Sequence, residues 1–170
     1  MSKTITNNKL TGSDKENKSI TPKRSLTPRR RAREYALQGV YQSLVMRRAG
    51  SLPNSVTITK QLSEDPAFRR CQLELFQGIF EGVLERTDEL EAIITPALDR
   101  PINELSPVEH AALLIGAYEL AADLSVPYKV AINEAVELAK TFGGTDGHKY
   151  VNGVLDLLAQ KLRSAEIQAA

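Results

Sequence analysis

The sequence predicts an all-α protein of six to seven helices. Apolar residues recur at spacings of three and four along most of the chain after residue 27, and no segment alternates with the period of two typical of a strand. Capping and stop signals bound the apolar segments. With 170 residues, of which 42% are hydrophobic, the chain is long enough to bury one core without a disulfide or a metal.

The N-terminal residues 1–27 predict a disordered basic tail. Only four large aliphatic residues follow Met1 in the first 26 positions, where Lys, Asn, Ser and Thr dominate. So few apolar groups cannot offset the entropy lost on ordering the segment. We therefore expect one helical domain that spans residues 28–165.

The first helix is expected to begin at Thr27-Pro28, because Thr is a good N-cap and Pro is favoured at the first helical position. Ala36, Val40 and Leu44 then follow at helical spacing. Four cations crowd the first turn and a half: Arg29, Arg30, Arg31 and Arg33. Cations at this end oppose the helix dipole, so helix stability does not explain them.

Further helices follow in order. We expect a loop over residues 49–65, a helix from Asp65-Pro66 to Thr87, and a shorter helix over residues 88–100 that is interrupted near Thr95-Pro96. The segment "SPVE", residues 106–109, is a capping box with Pro at the first helical position, and it opens the next helix.

The two last helices flank the segment "FGGTDG", residues 142–147. The helix over "VPYKVAINEAVELAKTFGG" is expected to end at Gly143 or Gly144, and Asp146 is expected to cap the final helix. These helix boundaries place His148, Lys149 and Tyr150 in the first turn of the final helix.

The sequence offers no convincing catalytic group, metal site or cofactor site, so we expect a protein that is not an enzyme. Its single cysteine, Cys71, lies among apolar residues, and His110 lies beside an alanine-rich face. Glu134 and Glu137 lack the histidine partners of a di-metal bundle, and no phosphate-binding glycine loop occurs. The lone cysteine, the polar N-terminus and the absence of a long apolar run predict a soluble cytoplasmic protein with no membrane segment.

Charge is distributed unevenly along the chain. Residues 1–33 hold ten Lys and Arg against two Asp and Glu, whereas residues 34–170 hold twelve against nineteen. A basic arm on an acidic body is typical of a protein that binds a polyanion near the arm and a basic protein elsewhere. A solubilising tail is the alternative interpretation.

Two segments combine the residue types that hold single-stranded RNA, in which cations track phosphates and aromatic rings stack on bases. The first is the arginine run, and the second is the pair Lys149-Tyr150 at a helix N-terminus, whose free N–H groups favour phosphate. For Tyr150, packing in the core is the alternative, because Val154 follows at helical spacing.

Three stretches resemble the NusB family of bacterial transcription antitermination factors. They are "RRRAREYALQGVYQ", "SPVEHAALLIGAYEL" and the long "SVPYKVAINEAVELAKTFGGTDGHKYVNGVLD". The resemblance covers roughly residues 28–163. It implies two three-helix subbundles, no enzymatic activity, and a heterodimer with NusE, which is also a small-subunit ribosomal protein.

The resemblance further implies that this heterodimer binds the boxA element of nascent RNA and joins other Nus factors and RNA polymerase, notably on ribosomal RNA genes. A homodimer of the free protein is compatible with it. The RNA-binding residues it implies are Arg29, Arg30, Arg31, Arg33, Asp146, Lys149 and Tyr150, and the partner-binding residues are Tyr41 and Glu109.

Two alternatives from other classes stay open at this point. The chain could be a helical protein-interaction module without an RNA role, or a domain that recruits substrate for an RNA-modifying enzyme. The first predicts no binding to boxA RNA even when the ribosomal partner is present. The tail of some two dozen residues before the arginine run departs from the family pattern.

Overall fold

The computed structural model describes residues 26–169, and within this range it contains eight α-helices and no strand. The helices are α1 Pro28–Arg48, α2 Ser55–Leu62, α3 Leu73–Glu85, α4 Thr87–Ile94, α5 Pro107–Ala122, α6 Tyr128–Phe142, α7 Gly147–Leu162 and α8 Ser164–Ala169. Three 3-10 segments connect them: Pro66–Arg70, Thr95–Ala97 and Ile102–Glu104. The predicted all-α class is confirmed, with two short helices, α2 and α8, beyond the expected set.

The first subbundle contains α1, α2 and α3. A line of four aromatic rings fills it, with centroid separations of 5.0, 5.1 and 5.5 Å along Tyr35, Phe68, Phe76 and Phe80. The backbone of α1 approaches this line closely at Gly39, where a Cβ would lie 2.7 Å from the Phe80 ring. Glycine at this position lets α1 and α3 pack against each other.

The second subbundle contains α5, α6 and α7, with α4 packed beside α5. Helix α5 is buried on nearly every side, as expected for a helix that is apolar around most of its circumference. It also packs antiparallel to α1, because Arg33 pairs with Glu119 while Arg48 donates to the Leu105 carbonyl oxygen at 3.2 Å. This contact joins the two subbundles.

Several predicted boundaries are confirmed. Thr27 caps α1 by accepting a hydrogen bond from the Arg30 N–H at 3.1 Å. Ser106 and Glu109 form both hydrogen bonds of the capping box at the start of α5. Helix α6 ends at Phe142, directly before Gly143, and the helix before Pro96 ends where the interruption was expected.

The expected loop over residues 49–65 is wrong in part, because residues 55–62 form α2. The Asn54 side chain caps this helix by accepting from the Thr57 N–H at 3.1 Å. Ile58 and Leu62, four residues apart, are both buried, and α2 packs against α1 and α3. Two apolar contacts and a cap stabilise a helix that its β-branched sequence alone does not favour.

The helix expected from Pro66 to Thr87 is also divided. Residues 66–70 form a 3-10 helix, here named the Pro66–Arg70 turn, and α3 begins only at Leu73. Phe68 and Cys71 both point into the core, and their three-residue spacing matches one turn of a 3-10 helix. Gln72 then caps α3 by accepting from the Leu75 N–H at 2.7 Å.

The predicted tail, residues 1–27, lies outside the described residues except for its last two positions, so its disorder stays a prediction. No helix within residues 26–169 is long and apolar enough to cross a membrane. The same part of the chain contains no group of three or more His, Cys, Asp or Glu side chains suited to hold a metal ion.

Candidate nucleic-acid interface

The first turn of α1 presents part of the arginine run to solvent. Arg29 is exposed and lies next to the segment that follows α5, where Asp123 and Ser125 are its neighbours. Arg30 is 30% exposed and forms an ion pair with Glu134 of α6 at 3.4 Å. Arg29 is thus free at the surface, whereas Arg30 lies in a partly buried ion pair.

Arg31 is half-buried between α1 and the Pro66–Arg70 turn. Its charge acts on Asp65 and Cys71, which lie at the two ends of that turn. Its Nε–H is buried, and no described oxygen accepts a hydrogen bond from it. The guanidinium of Arg31 therefore keeps an unused donor, whereas arginines in the core normally have all of their donors engaged.

Arg33 differs from the rest of the run because it is only 3% exposed. Its Nε and Nη2 donate to the two carboxylate oxygens of Glu119 at 2.8 and 2.9 Å, and Glu119 is 1% exposed. Burial alone would lower the pKa of Arg33, but the hydrogen bond and charge of Glu119 outweigh it and raise that pKa. The expected phosphate contact at Arg33 is thus unsupported: the side chain joins α1 to α5.

The segment between α6 and α7 holds the second predicted set. Helix α7 begins at Gly147, as the sequence indicated, and Asp146 occupies the N-cap position. The Asp146 side chain accepts no hydrogen bond from the backbone there, so the expected side-chain cap is absent. Instead, its Oδ1 lies 3.5 Å from Nζ of Lys149, and both side chains are largely exposed.

Tyr150 is half-buried at the edge of the core. Its hydroxyl donates to Oδ1 of Asp99 at 2.9 Å, and the Arg100 guanidinium lies over its ring, 4.4 Å from the centroid. Burial, followed by the Asp99 hydrogen bond, raises the pKa of Tyr150. The ring is therefore partly committed to contacts within the protein, and a base that stacks on it would meet Arg100 as well.

The two predicted RNA-binding sets lie at opposite ends of α6. Arg30 pairs with Glu134 in the first half of this helix, whereas Asp146 and Lys149 follow its last residue, Phe142. Eight residues of helix separate Glu134 from Phe142, a rise of about 12 Å. A ligand that contacts both sets must therefore be extended.

Tyr41, one of the two predicted partner-binding residues, is 40% exposed on α1. It lines an apolar groove of about 380 Å³ between α1, α5 and α6, and the groove is lined by Leu37, Gln38, Tyr41, Gln42, Val108 and Phe142. Phe142 is 37% exposed at the other side of the groove. Tyr41 is thus a surface aromatic residue, and core packing does not account for its position.

Glu109, the other predicted partner-binding residue, connects the start of α5 to the start of α7. Its Oε2 accepts from the Ser106 N–H at 3.3 Å in the capping box. Its Oε1 lies so close to α7 that a Cβ on Gly147 would be 2.6 Å away. Replacement of Glu109 would therefore remove one hydrogen bond of the α5 cap and a side chain that lies against the start of α7.

Sequence reasoning missed several residues that shape these surfaces. Glu119 and Arg163 are buried polar residues, and Arg163 donates to four backbone carbonyls, those of Glu119, Leu120, Asp123 and Val126, at 2.7 to 3.0 Å. Asp99 and Arg100 hold Tyr150. In the sequence, the buried role of Glu119 is indicated only by its position as a charged residue in the otherwise apolar stretch "GAYELAAD".

The comparisons with known proteins agree with this architecture. The model of the NusB family matches residues 30–160. A protein named transcription antitermination protein NusB from Methylobacillus flagellatus is 51% identical over 140 residues, which are 82% of this chain and 88% of that protein. One of the same name from Nitrosospira multiformis is 57% identical over 137 residues, 81% of this chain and 84% of that protein.

Two solved structures share the fold. NusB from T. maritima is 27% identical, with a TM-score of 0.66 over 80% of this chain and 93% of that one. A crystal structure of the antitermination factors NusB and NusE in complex with dsRNA gives a TM-score of 0.70 at 24% identity, over 81% and 99% of the two chains. The family model covers most of the residues that build both subbundles, and the chain belongs to the NusB family.

Proposed function

We propose that this protein is a transcription antitermination factor that binds boxA RNA as a heterodimer with NusE and supports transcription of ribosomal RNA. The observation that carries the proposal is the identity of about half of all aligned residues, 51% and 57%, with proteins named for this function. The protein acts by binding and not by catalysis. It does so in the cytoplasm, together with other Nus factors and RNA polymerase.

The RNA-binding surface in this proposal is narrower than the sequence alone indicated. It comprises Arg29, Arg30 and Arg31 at the start of α1, with Asp146, Lys149 and Tyr150 at the start of α7. Arg33 is left out because its guanidinium already has a buried carboxylate partner. The exposed cations supply attraction to phosphate, and that attraction weakens as salt rises.

The partner surface is the groove beside Tyr41, with Glu109 near its edge. An exposed tyrosine that faces an apolar groove is the type of residue that dominates binding energy at protein interfaces. The acidic balance of residues 34–170 favours a basic partner such as a ribosomal protein, mainly by speeding the encounter. Two proteins on one RNA then bind more tightly than either does, because the second contact is effectively intramolecular.

A titration of fluorescein-labelled boxA RNA by anisotropy tests the proposal. The RNA is titrated with this protein alone, with NusE alone and with an equimolar mixture, and a scrambled RNA of equal length serves as the control. We expect the mixture to bind boxA RNA more tightly than either protein and more tightly than it binds the scrambled RNA. Absence of boxA binding by the mixture would favour a protein-interaction module instead.

A Tyr41→Ala variant separates the two surfaces in the same assay. It should lose the gain in affinity that NusE provides while its own weak RNA binding stays unchanged. Gln42→Ala, in the same groove, is the matched control and should have a smaller effect, because truncation of tyrosine removes far more contact area.

A further inference from the structure

The Pro66–Arg70 turn lies directly against the start of α1. The Gln72 N–H donates to the Pro28 carbonyl oxygen at 2.9 Å, and the Tyr35 hydroxyl donates to Oδ2 of Asp65 at 2.7 Å. These two bonds hold both ends of the turn on the first two turns of α1. Arg70 is two residues from Gln72, so its Cα lies within about 7 Å of that attachment.

The same packing directs two arginines to solvent. Phe68 packs edge-on against Tyr35 and Phe76, and Cys71 is buried as well, so this side of the 3-10 helix faces the core. Arg69 and Arg70 follow Phe68 and are both exposed. Neither forms an ion pair with a residue in the described range 26–169.

Five arginines thus lie on the two segments that meet at this junction. They are Arg29, Arg30, Arg31, Arg69 and Arg70. Glu134 pairs with Arg30, and the charge of Asp65, which accepts hydrogen bonds from Tyr35 and from the Ala67 N–H, acts on Arg31 and Arg70, so the cluster is neutralised only in part. Glu74 and Asp123 line one pocket together with Arg29 and Gln72.

Such a cluster disfavours the free protein through mutual repulsion, and a bound polyanion relieves that repulsion. Arginine also binds phosphate with a planar fork of two N–H groups, which lysine cannot do.

We infer that Arg69 and Arg70 extend the RNA-binding surface from the start of α1 onto the Pro66–Arg70 turn, where they contact backbone phosphates of the same RNA. The inference rests on the proposed function, because it assumes that the RNA contacts Arg29 and Arg30. It adds a contact that the sequence did not indicate: the arginine run and the pair in "FRRC" are almost forty residues apart in the chain.

The test measures binding of labelled boxA RNA to the equimolar mixture with NusE across a series of salt concentrations. The variant R69A/R70A should lower the slope of log affinity against log salt by roughly 1.4, since each lost single-strand phosphate contact contributes about 0.7. At physiological salt this corresponds to a loss of affinity on the order of tenfold. The variant R69K/R70K keeps the charges and should recover most of the slope.

The matched control is R47A/R86A, which also removes two arginines. Arg47 is eighteen residues from Arg29 on α1, a rise of about 27 Å, and Arg86 lies at the far end of α3. This distance exceeds the screening length of about 8 Å at physiological salt, so the control should leave RNA affinity nearly unchanged. Thermal unfolding of both double variants verifies that they are folded.

Shortened RNAs separate direct contact from an indirect effect. If Arg69 and Arg70 hold one end of the RNA, removal of nucleotides from that end should abolish the difference between R69A/R70A and the original protein. Removal from the other end should leave the difference intact. An equal loss with every shortened RNA, or a loss of NusE binding without RNA, would overturn the inference.

Separate experimental outcomes would disprove the proposed function and the RNA contact of Arg69 and Arg70. If R29A/R30A weakens RNA binding while R69A/R70A binds as tightly as the original protein, the inference is wrong and the proposed function stands. If the original protein binds no boxA RNA in the presence of NusE, both are wrong.

Discussion

Arg29 and Arg33 belong to one run of arginines and, being four residues apart, to one face of α1. Arg29 is exposed, whereas Arg33 is buried, and its Nε and Nη2 groups donate to Glu119. The difference comes from where α5 ends. Since α1 and α5 are antiparallel, Arg33 lies opposite Glu119, and one turn earlier Arg29 lies beyond Ala122, the last residue of α5.

Position along the helix axis thus decides whether an arginine of this run is buried or exposed. Spacing within α1 cannot do so, because residues four apart share a face. The arginines at the start of α1 project beyond the end of its neighbour and stay available to a ligand. An arginine one turn further along α1, such as Arg33, needs a partner of opposite charge, because an unpaired buried charge is strongly destabilising.

The largest effect is expected from Arg33→Ala. This change leaves the carboxylate of Glu119 buried without its partner, at a cost of about 3 to 5 kcal/mol in the free energy of unfolding. Urea denaturation followed by circular dichroism measures it. Arg29→Ala is the matched control and should change the unfolding free energy by less than about 0.5 kcal/mol.

A double variant sharpens this first test. R33M/E119L removes both charges and should recover most of the lost stability, because apolar replacement of a buried ion pair is often neutral. Equal unfolding free energies for Arg33→Ala and Arg29→Ala would contradict the distinction between buried and exposed arginines.

Tyr150 is an intermediate case, half-buried and partly exposed. If it stacks on a base, Tyr150→Ala should weaken RNA binding by about 1 to 3 kcal/mol. Tyr150→Phe should preserve RNA affinity while it loses the hydrogen bonds that the hydroxyl donates to Oδ1 of Asp99 and accepts from the Asp99 N–H, and each lost bond lowers the unfolding free energy by about 0.5 to 1.5 kcal/mol. Anisotropy and urea denaturation measure the two quantities separately.

Asp99→Ala is the control for this residue, because it removes the carboxylate that accepts from the Tyr150 hydroxyl and leaves the ring in place. A Tyr150→Ala protein that no longer folds would assign the ring to the core and remove it from the RNA-binding surface.

Arg29 and Arg30, at the surface end of α1, predict an effect on RNA affinity that depends on salt. R29A/R30A should reduce the slope of log RNA affinity against log salt by roughly 1.4, with about tenfold weaker binding at physiological salt. Its stability should change little, because the Arg30–Glu134 pair is partly exposed. An unchanged slope would show that these cations do not contact phosphate.

The smallest effect is expected from Asp146→Asn. The change removes a negative charge 3.5 Å from the Lys149 ammonium and so frees that cation for phosphate. We expect RNA affinity to rise by about 0.3 to 1 kcal/mol, as is usual for an exposed ion pair. Stability should stay the same, since the Asp146 side chain does not cap α7; weaker binding would mean that the carboxylate accepts a hydrogen bond from the RNA.

Much of the helical architecture follows from short-range signals in the sequence. The starts of α1 and α5 depend on Thr27 and on the Ser106–Glu109 capping box, whose partners lie within three residues. The end of α6 at Gly143 is local in the same sense. These boundaries were predictable because the groups that satisfy the free backbone N–H and C=O groups lie within one helical turn.

The site was predictable only in outline. The residue types and their location at two helix starts came from the sequence, and so did the family resemblance. The sequence did not predict the burial of Arg33, the missing side-chain cap at Asp146 or the Arg100 contact on Tyr150. Each of these depends on residues that packing brings close together.

The sequence by itself determined that this chain is helical, where most of its helices begin and end, and which segments carry exposed charge. Tertiary structure decided which arginine is available to a ligand, because the partner of Arg33 is 86 residues away in the chain. It also decided that the turn which carries Arg69 and Arg70 is attached to the start of α1. Backbone capping is a local matter, whereas burial and charge pairing depend on which distant residues the packed core brings together.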